Sequence, residues 1–210
     1  QGVKNLMPVT INGDGSITGL SVGGLPNGTV DADTLATNAV TTNKIANSAV
    51  TSPKTSGVGG VTMYDEWRRT SNGSGTGDIT ADWARNNTNF AQIGSGMTQS
   101  SGIFTFPATG IYRVTYHIMG YRNGDSPFFG CNMYLSTNSG SSYSTVTYSR
   151  GSNNADGDAY ATAHGWGTID VTNASTFRVK FTIDSSGSWN WRGSSGFNES
   201  FASFMKVGET

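Results

Sequence analysis

Hydrophobic and polar positions alternate most clearly across residues 102–118, GIFTFPATGIYRVTYHI. Phe104 and Phe106 lie on one side of the first half of this stretch. In the second half, polar residues alternate with Tyr112, Val114, Tyr116 and Ile118. A period of two is typical of a strand with one buried face. The residues between them, Pro107 to Gly110, predict a tight turn. Because the apolar side of such strands needs a second sheet to cover it, this stretch predicts the centre of a β-sandwich.

Similar alternation recurs through the rest of the chain after residue 60, and no segment there has a helical period of useful length. Residues 150–158 read as a polar loop. Roughly ten strands fit an all-β, two-sheet antiparallel jelly roll. Besides the two strands above, the pattern predicts strands over 61–67, 78–83, 89–93, 127–136, 143–149, 159–171, 177–183, 188–193 and 199–207.

The first third of the chain follows a different rule, in which an apolar residue recurs at every fifth position. These residues are Leu20, Leu25, Val30, Leu35, Val40, Ile45 and Val50, and the last five lie within a ten-residue repeat over 30–59. With Asp31 or Thr41 as an N-cap, each repeat predicts one short helical turn closed by a hydrophobic staple. One turn is unstable alone. The pattern therefore predicts an extended trimeric stalk that buries this row between chains; a disordered linker is the alternative.

Aromatic residues divide the chain. Its 5 Trp, 8 Tyr and 10 Phe all lie at or after Tyr64. Since aromatic side chains supply much of the area that a core buries, only the later part is expected to fold as a globular head. We predict an N-terminal β segment over 1–19, with a turn at 12–15, a repetitive stalk and Gly hinge over 20–60, and a jelly-roll head over 61–210.

Composition excludes several partners. Only 13% of residues are charged and the net charge is −1, so no nucleic-acid partner is expected. No apolar run approaches the length of a membrane span, so membrane insertion is not expected either. The single Cys131 excludes an internal disulfide, and its alternation with Phe129 and Met133 predicts a core position.

The chain has no P-loop and no HExxH motif, and no nucleophile elbow is predicted in it. Asp65-Glu66 and Asp82 could form a glycosidase pair, but solvated carboxylates beside a strand are the favoured interpretation. No catalytic residue and no enzyme activity are therefore predicted.

Metal and cofactor sites are not predicted. His117 and His164 lack a neighbouring ligand pattern. Asn154, Asp156 and Asp158 follow part of a calcium-loop spacing, but the central Gly and terminal Glu are missing. A polar loop without a bound metal is the favoured interpretation.

Two segments are candidates for binding a glycan or another receptor. In a strand, Trp189 and Trp191 share one side, where they would either pack in the core or form an aromatic platform for sugar rings beside Arg192. The loop at 150–158 offers hydrogen-bonding groups from Asn153, Asp156 and Asp158.

The head resembles the complement globular-head and tumour-necrosis-factor-like (TNF-like) jelly rolls. Gly102, Phe104, Pro107, Gly110 and Tyr112 match that family's Gly-x-Phe-x-x-Pro-x-x-Gly-x-Tyr pattern, and SFASFMKV near the C-terminus is similar to its closing strand. The corner that usually carries Gly-Asp reads Asn173-Ala174-Ser175, so a ligand role for that Asp is not transferred. The resemblance implies a homotrimer with heads packed on a threefold axis.

The repeat ADTLATNAVTTNKIANSAVT resembles the AVTTxKIA repeats of phage tail fibres, notably from marine phages. A repetitive stalk before a trimeric jelly-roll tip implies an extracellular virion fibre or spike that contacts host polysaccharide or protein and joins other virion proteins at its N-terminus. The alternatives are a capsid-surface or tail structural protein without receptor binding, a polysaccharide-degrading spike, and a bacterial extracellular adhesin.

Overall fold

The structure is a computed structural model of the chain. It describes residues 10, 11, 13, 17, 18, 35–37, 39–46, 49, 50, 60–88, 92–123, 126–153 and 158–210. The chain divides between Val58 and Gly59 into two units. The described residues hold no helix long and apolar enough to cross a bilayer.

Strands dominate the described residues, and the one helical element is a single 3-10 turn at Thr42–Lys44. In chain order the strands are β1 (Thr10–Ile11), β2 (Ile17–Thr18), β3 (Tyr64–Arg69), β4 (Gly73–Ser74), β5 (Gly77–Asp78), β6 (Trp83–Arg85), β7 (Thr98–Ser100), β8 (Ile103–Thr105), β9 (Gly110–Asn123), β10 (Ser126–Ser136), β11 (Ser144–Asn153), β12 (Asp158–Val171), β13 (Arg178–Ser185), β14 (Asn190–Trp191) and β15 (Phe201–Gly208).

Two antiparallel sheets build the second unit. In the first sheet, β9 pairs along its whole length with β12 on one edge, and with β15 and β14 on the other. Beyond these, β15 pairs with β3, which pairs with β6, and β14 pairs with β4. The second sheet runs β11–β10–β13–β8–β7, and β5 also pairs with β13. This architecture confirms the predicted all-β, two-sheet antiparallel jelly roll.

The corner predicted at 107–110 carries the chain from one sheet to the other. β8 belongs to the second sheet and β9 to the first. The rings of Phe106 and Tyr112 meet across the corner with centroids 4.8 Å apart, and the Tyr112 hydroxyl donates to the Ala108 carbonyl at 3.0 Å. Gly110 has a φ of 140°, which few other residues adopt. One ring pair, one hydrogen bond and one glycine therefore fix the turn.

The core lies between the two sheets and is built largely from aromatic rings. Phe104 is fully buried at its centre, with ring centroids 5.0 Å from Phe204, 5.4 Å from Trp83 and 5.8 Å from Phe181. All four inward residues that the alternation predicted on β9 are fully buried, and so is Cys131, whose thiol has a pKa raised by burial. Packed aromatic rings of this kind contribute a large share of the apolar burial in the head.

Several predicted boundaries shift. Residues 150–153 continue β11, and β12 begins at Asp158, so the predicted 150–158 loop is shorter on both sides. Thr98–Ser100 forms a strand that the alternation does not mark, because its residues are polar throughout. Its link to β8 is a two-residue turn in which Ser101 and Gly102 both have positive φ, as tight hairpins require.

The described residues of the first unit form one strand pair and a series of short turns. β1 pairs antiparallel with β2 on either side of the Asn-Gly turn signal. Single turns, each closed by one backbone hydrogen bond, then recur at a spacing of five residues. The N–H of Ala39 donates to the Ala36 carbonyl at 2.9 Å, that of Lys44 to Thr41 at 2.9 Å, and that of Ala49 to Ala46 at 3.0 Å. The repeating short turn is thus present in the described residues.

Candidate interaction surfaces

The structure buries both tryptophans of the candidate platform. Trp189 is 1% exposed and Trp191 is 8% exposed. The Trp189 ring packs on Phe129 with centroids 5.1 Å apart, and the backbone of Trp191 pairs with Gly120 of β9. Their shared side faces the core, because β14 extends the first sheet. Neither indole presents an open face to a sugar ring in this chain, in agreement with the core interpretation.

Arg192 directly follows β14 and is held by two contacts. Its backbone N–H donates to the Met119 carbonyl at 2.8 Å, and its guanidinium lies 3.3 Å from the Glu199 carboxylate. The side chain is about one-third exposed. It can still contact a ligand, but without the neighbouring tryptophans.

The loop candidates fall mostly outside the described residues. Asp156 lies there, as do the side chains of Asn153 and Asp158, although the backbones of these two end β11 and begin β12. Their role in binding stays a prediction.

The apolar row of the repeat can be followed over four of its members. Leu20, Leu25 and Val30 lie outside the described residues. The other four are all exposed within the single chain and lie between the recurring turns: Leu35, Val40, Ile45 and Val50. Exposed apolar side chains at so regular a spacing are suited to burial against other chains.

An exposed apolar surface covers the outward side of the first sheet, and sequence reasoning missed it. We call it the aromatic face. Strand β12 explains how it forms: its inward positions from 159 to 167 are all Ala or Gly, while the large side chains of Tyr160, His164 and Trp166 point outward. The Tyr116 ring lies across Gly165, where a Cβ atom would come within 2.7 Å of it. The face consists of Ile111, Arg113, His117, Met119, Tyr121, Tyr160, His164, Trp166, Phe201 and Met205.

Ring contacts run across the strands of the aromatic face. Tyr121 and Tyr160 are directly paired, with ring centroids 5.2 Å apart. The Arg113 guanidinium lies 3.7 Å from the centre of the Trp166 ring. Tyr160 is nevertheless 59% exposed and Trp166 51% exposed. The face is pre-arranged but uncovered in the single chain.

Two histidines lie at the middle of the aromatic face. His117 and His164 are opposite each other on β9 and β12, with ring centroids 5.9 Å apart, and His117 stacks on Phe201 at 5.4 Å. Burial, and then the neighbouring charge of His164, lower the pKa of His117. Both effects favour the neutral form of the His117 imidazole.

The carboxylates weighed as a catalytic pair have structural partners. Asp65 is fully buried, and its oxygens accept from Arg85 at 2.8 Å, Trp67 Nε1 at 2.9 Å and the Met97 N–H at 2.7 Å. Asp82 lies 3.6 Å from Arg69. The expectation that these carboxylates are solvated is wrong for Asp65, which links β3, β6 and the segment before β7.

Within the described ranges, no three His, Cys, Asp or Glu side chains lie close enough together to hold a metal ion.

A signal for the aromatic face was present in the sequence. In AYATAHGWGTIDV the small residues occupy one side of the alternation and Tyr160, His164 and Trp166 the other. The usual rule assigns the large apolar side to the core. Here the core side is already filled by Tyr116 and its neighbours, so the small side faces inward.

Comparison with known proteins identifies the fold of the head. No family model and no curated protein matches the sequence. Among solved structures, the Eiger TNF from S. frugiperda has a TM-score of 0.58 at 13% identity, covering 72% of this chain and 96% of its own. Murine APRIL has a TM-score of 0.51 at 14% identity, covering 69% of this chain and 98% of its own. The second unit is therefore a TNF-like jelly roll.

Proposed function

We propose that the chain is a non-enzymatic, extracellular recognition protein of the virion-fibre or spike type. Its jelly-roll heads assemble as a homotrimer and contact polysaccharide or protein on a host cell. The TNF-like fold supports the trimeric, receptor-binding character of the head. The repeat resemblance supports the virion fibre, in which the N-terminal unit joins other virion proteins.

The aromatic face carries the proposal of self-association. Three neighbouring strands present aromatic rings, methionines and few charges to solvent, and at outward positions 160–170 of β12 the one charged side chain is Asp170. Rings and methionines exposed on three adjacent strands, with Thr115, Thr162 and Ser203 between them, are typical of a protein interface. We expect a second copy of the chain to cover this face. The face offers apolar rings and little charge, so it gives a charged partner few groups to pair with.

The N-terminal repeat supplies a second element of assembly in this proposal. Leu35, Val40, Ile45 and Val50 lie exposed between short turns, each too short to be stable alone. Packing the same row from three chains along one axis removes these side chains from water.

Sedimentation equilibrium of the full chain tests the assembly. We expect a mass three times the 22.1 kDa of one chain. A stable monomer at micromolar concentration contradicts the proposal. Host recognition is tested separately, by adsorption of the labelled protein to cells of candidate host strains against unrelated strains.

A further inference from the structure

The outward side of the second sheet differs from the aromatic face and forms a flat, polar surface with interleaved rings. We call it the ion-pair face. It is built by outward side chains of β10, β11 and β13, joined by one residue of β5: Phe128, Asn132, Tyr134, Tyr148, Arg150, Lys180, Thr182, Asp184 and Asp78. Tyr143, just before β11, lies at its border.

Strand register places the polar groups of this face in rows. Arg150, Gly130 and Asp184 are neighbours across three strands. Because Gly130 has no side chain, Arg150 can cross it, and its guanidinium reaches the Asp184 carboxylate at 2.5 Å. A Cβ atom at position 130 would come within 2.8 Å of Arg150 Cγ. The glycine thus makes room for an ion pair that lies flat on the sheet.

A second ion pair lies across the same strands. Lys180 Nζ donates to Asp78 at 2.8 Å, and the Thr182 hydroxyl donates to the other oxygen of Asp78 at 2.6 Å. Burial alone would raise the pKa of Asp78, but these hydrogen bonds outweigh it and lower that pKa. Asp78 is therefore held as a carboxylate, and the second pair is also fixed.

Aromatic rings lie beside both ion pairs. The Arg150 guanidinium is 4.3 Å from the Phe128 ring centre and 5.5 Å from that of Tyr148. Lys180 Nζ is 4.4 Å from the Tyr143 ring centre. Tyr148 is 65% exposed, more than any other aromatic residue among the exposed large hydrophobics of the described chain. Its ring is the one most open to a ligand.

The row that contains Tyr148 also contains an unsatisfied acceptor. Asn132 lies between Tyr148 and Thr182 in register. Its Nδ2 donates to the Tyr134 hydroxyl at 3.4 Å, but its shielded Oδ1 has no hydrogen-bond partner among the described residues. An acceptor left unpaired is unfavourable, and a ligand hydroxyl would pair it if stacking on Tyr148 opened the space above Oδ1.

The balance of charge indicates the class of ligand. Each cation of the face is matched by a carboxylate, so the face offers both donors and acceptors without net charge. Such a surface suits the hydroxyl groups of a sugar, while an exposed ring suits its C–H groups. An acidic polymer would meet Asp78 and Asp184, and a protein surface would leave the two fixed ion pairs to be desolvated.

A cleft beside the face extends the available surface. It has a volume of about 550 Å³ and borders the face at Tyr143 and Arg178, with Gln99 and several Ser and Thr side chains completing its lining. This volume is in the range of small-ligand sites, and its lining is again rich in hydroxyl groups.

We propose that the ion-pair face binds a neutral, hexose-containing saccharide, with Tyr148 stacking on a sugar ring and Asn132, Arg150 and Asp184 contacting its hydroxyl groups. This inference rests on the proposed function, since it names the class of host receptor and the surface that meets it.

Binding of the full chain to immobilised oligosaccharides tests the inference. The probes are gluco-, manno- and galacto-hexaoses together with hexuronate-containing oligomers of similar length. We expect binding to at least one neutral hexaose. Tyr148→Ala should weaken it by about tenfold, because stacking of one ring is lost. Asn132→Leu, which removes the unpaired acceptor while keeping the volume, should weaken it to a similar extent.

The matched control is Phe197→Ala, which removes an exposed ring that belongs to neither face. It should leave saccharide binding unchanged, and all three variants should keep the wild-type mass and melting temperature. The proposal is overturned if no neutral hexaose binds, if only hexuronate oligomers bind, or if neither Tyr148→Ala nor Asn132→Leu weakens binding.

Cell adsorption separates this inference from the proposed function. Host adsorption that is unaffected by Tyr148→Ala refutes the ion-pair face and leaves the recognition function standing. Absence of adsorption to every candidate host refutes the recognition function itself.

Discussion

The two outward faces of the head share one core but present opposite chemistry to solvent. On the aromatic face, Tyr160 and Trp166 lie exposed among other rings and methionines. On the ion-pair face, the Arg150–Asp184 and Lys180–Asp78 ion pairs lie beside aromatic rings. Both faces come from the same strand alternation, so the fold alone does not distinguish them. The residues at the outward positions do, and they favour self-association on one face and contact with a polar ligand on the other.

The largest expected effect comes from placing the same charge on each face in turn. Tyr160 and Tyr148 are both tyrosines of similar exposure, on β12 and β11. Tyr160→Asp should raise the dissociation constant of the trimer by at least about 100-fold, because assembly would bury an unpaired carboxylate. Sedimentation velocity over a dilution series measures this.

Tyr148→Asp is the matched control for that experiment. It should leave the trimer intact and abolish saccharide binding. If the two variants dissociate the trimer equally, or if Tyr148→Asp alone does so, the assignment of the faces is wrong.

A second prediction separates stability from recognition. Trp191 is buried behind the first sheet and contributes to neither face. Trp191→Ala should lower the free energy of unfolding by about 3–5 kcal/mol, as deletion of a large buried ring does. Chemical denaturation measures the loss.

Saccharide binding per folded molecule should not change in Trp191→Ala. If Trp191→Ala kept wild-type stability but bound saccharide more weakly, Trp191 would belong to the binding surface, and the proposal that the ion-pair face binds the saccharide would be contradicted.

The fold could be predicted from the sequence wherever one side of a strand is clearly apolar. The corner between Phe106 and Tyr112 and the inward residues of β9 follow directly from their alternation. β7 could not be predicted this way, since it is short, polar and held by hydrogen bonds to β8 and a turn with two positive φ angles. Tertiary pairing decides such a strand, and local pattern does not.

The candidate surfaces were harder to predict than the fold. Alternation shows that Trp189 and Trp191 share a side, but whether that side is inward depends on which strand β14 joins. For β12, the rule that the side with large apolar residues faces the core gives the wrong side, because the Tyr116 ring fills the space beside Gly165. The rows of the ion-pair face depend on register across three strands, which alternation within one strand cannot supply.

A third prediction concerns pH and the aromatic face alone. Burial and His164 lower the pKa of His117. The unfolded state therefore binds more protons in acid, and the folded chain loses stability as the pH falls through the usual histidine pKa of about 6.5 towards the lower value. Above that range the stability contributed by this group is constant. The slope should be well below about 1.4 kcal/mol per pH unit, because the ring is half-buried and solvent screens it.

Melting temperature of the trimer between about pH 8 and pH 5 measures this slope against the ordinary histidine range. His117→Gln should flatten it. Saccharide binding should show no matching change, since no histidine lies on the ion-pair face. If the melting temperature depends on pH equally in wild type and His117→Gln, a group other than His117 causes the pH dependence.

The smallest expected effect is on stability at the ion-pair face. Asp184 and Arg150 are both partly exposed, so Asp184→Asn should change the free energy of unfolding by no more than about 1 kcal/mol, as surface ion pairs do. Its effect on binding should be larger, because Arg150 is then no longer held flat across Gly130. Glu209→Gln is the matched control: it breaks a surface pair with Lys206 that lies off the ion-pair face. Equal effects of the two variants on neutral-hexaose binding would mean that Asp184 acts only through general surface charge. A loss confined to Asp184→Asn would show that the Arg150–Asp184 pair takes part in binding, through the Asp184 carboxylate itself or through the guanidinium that it orients.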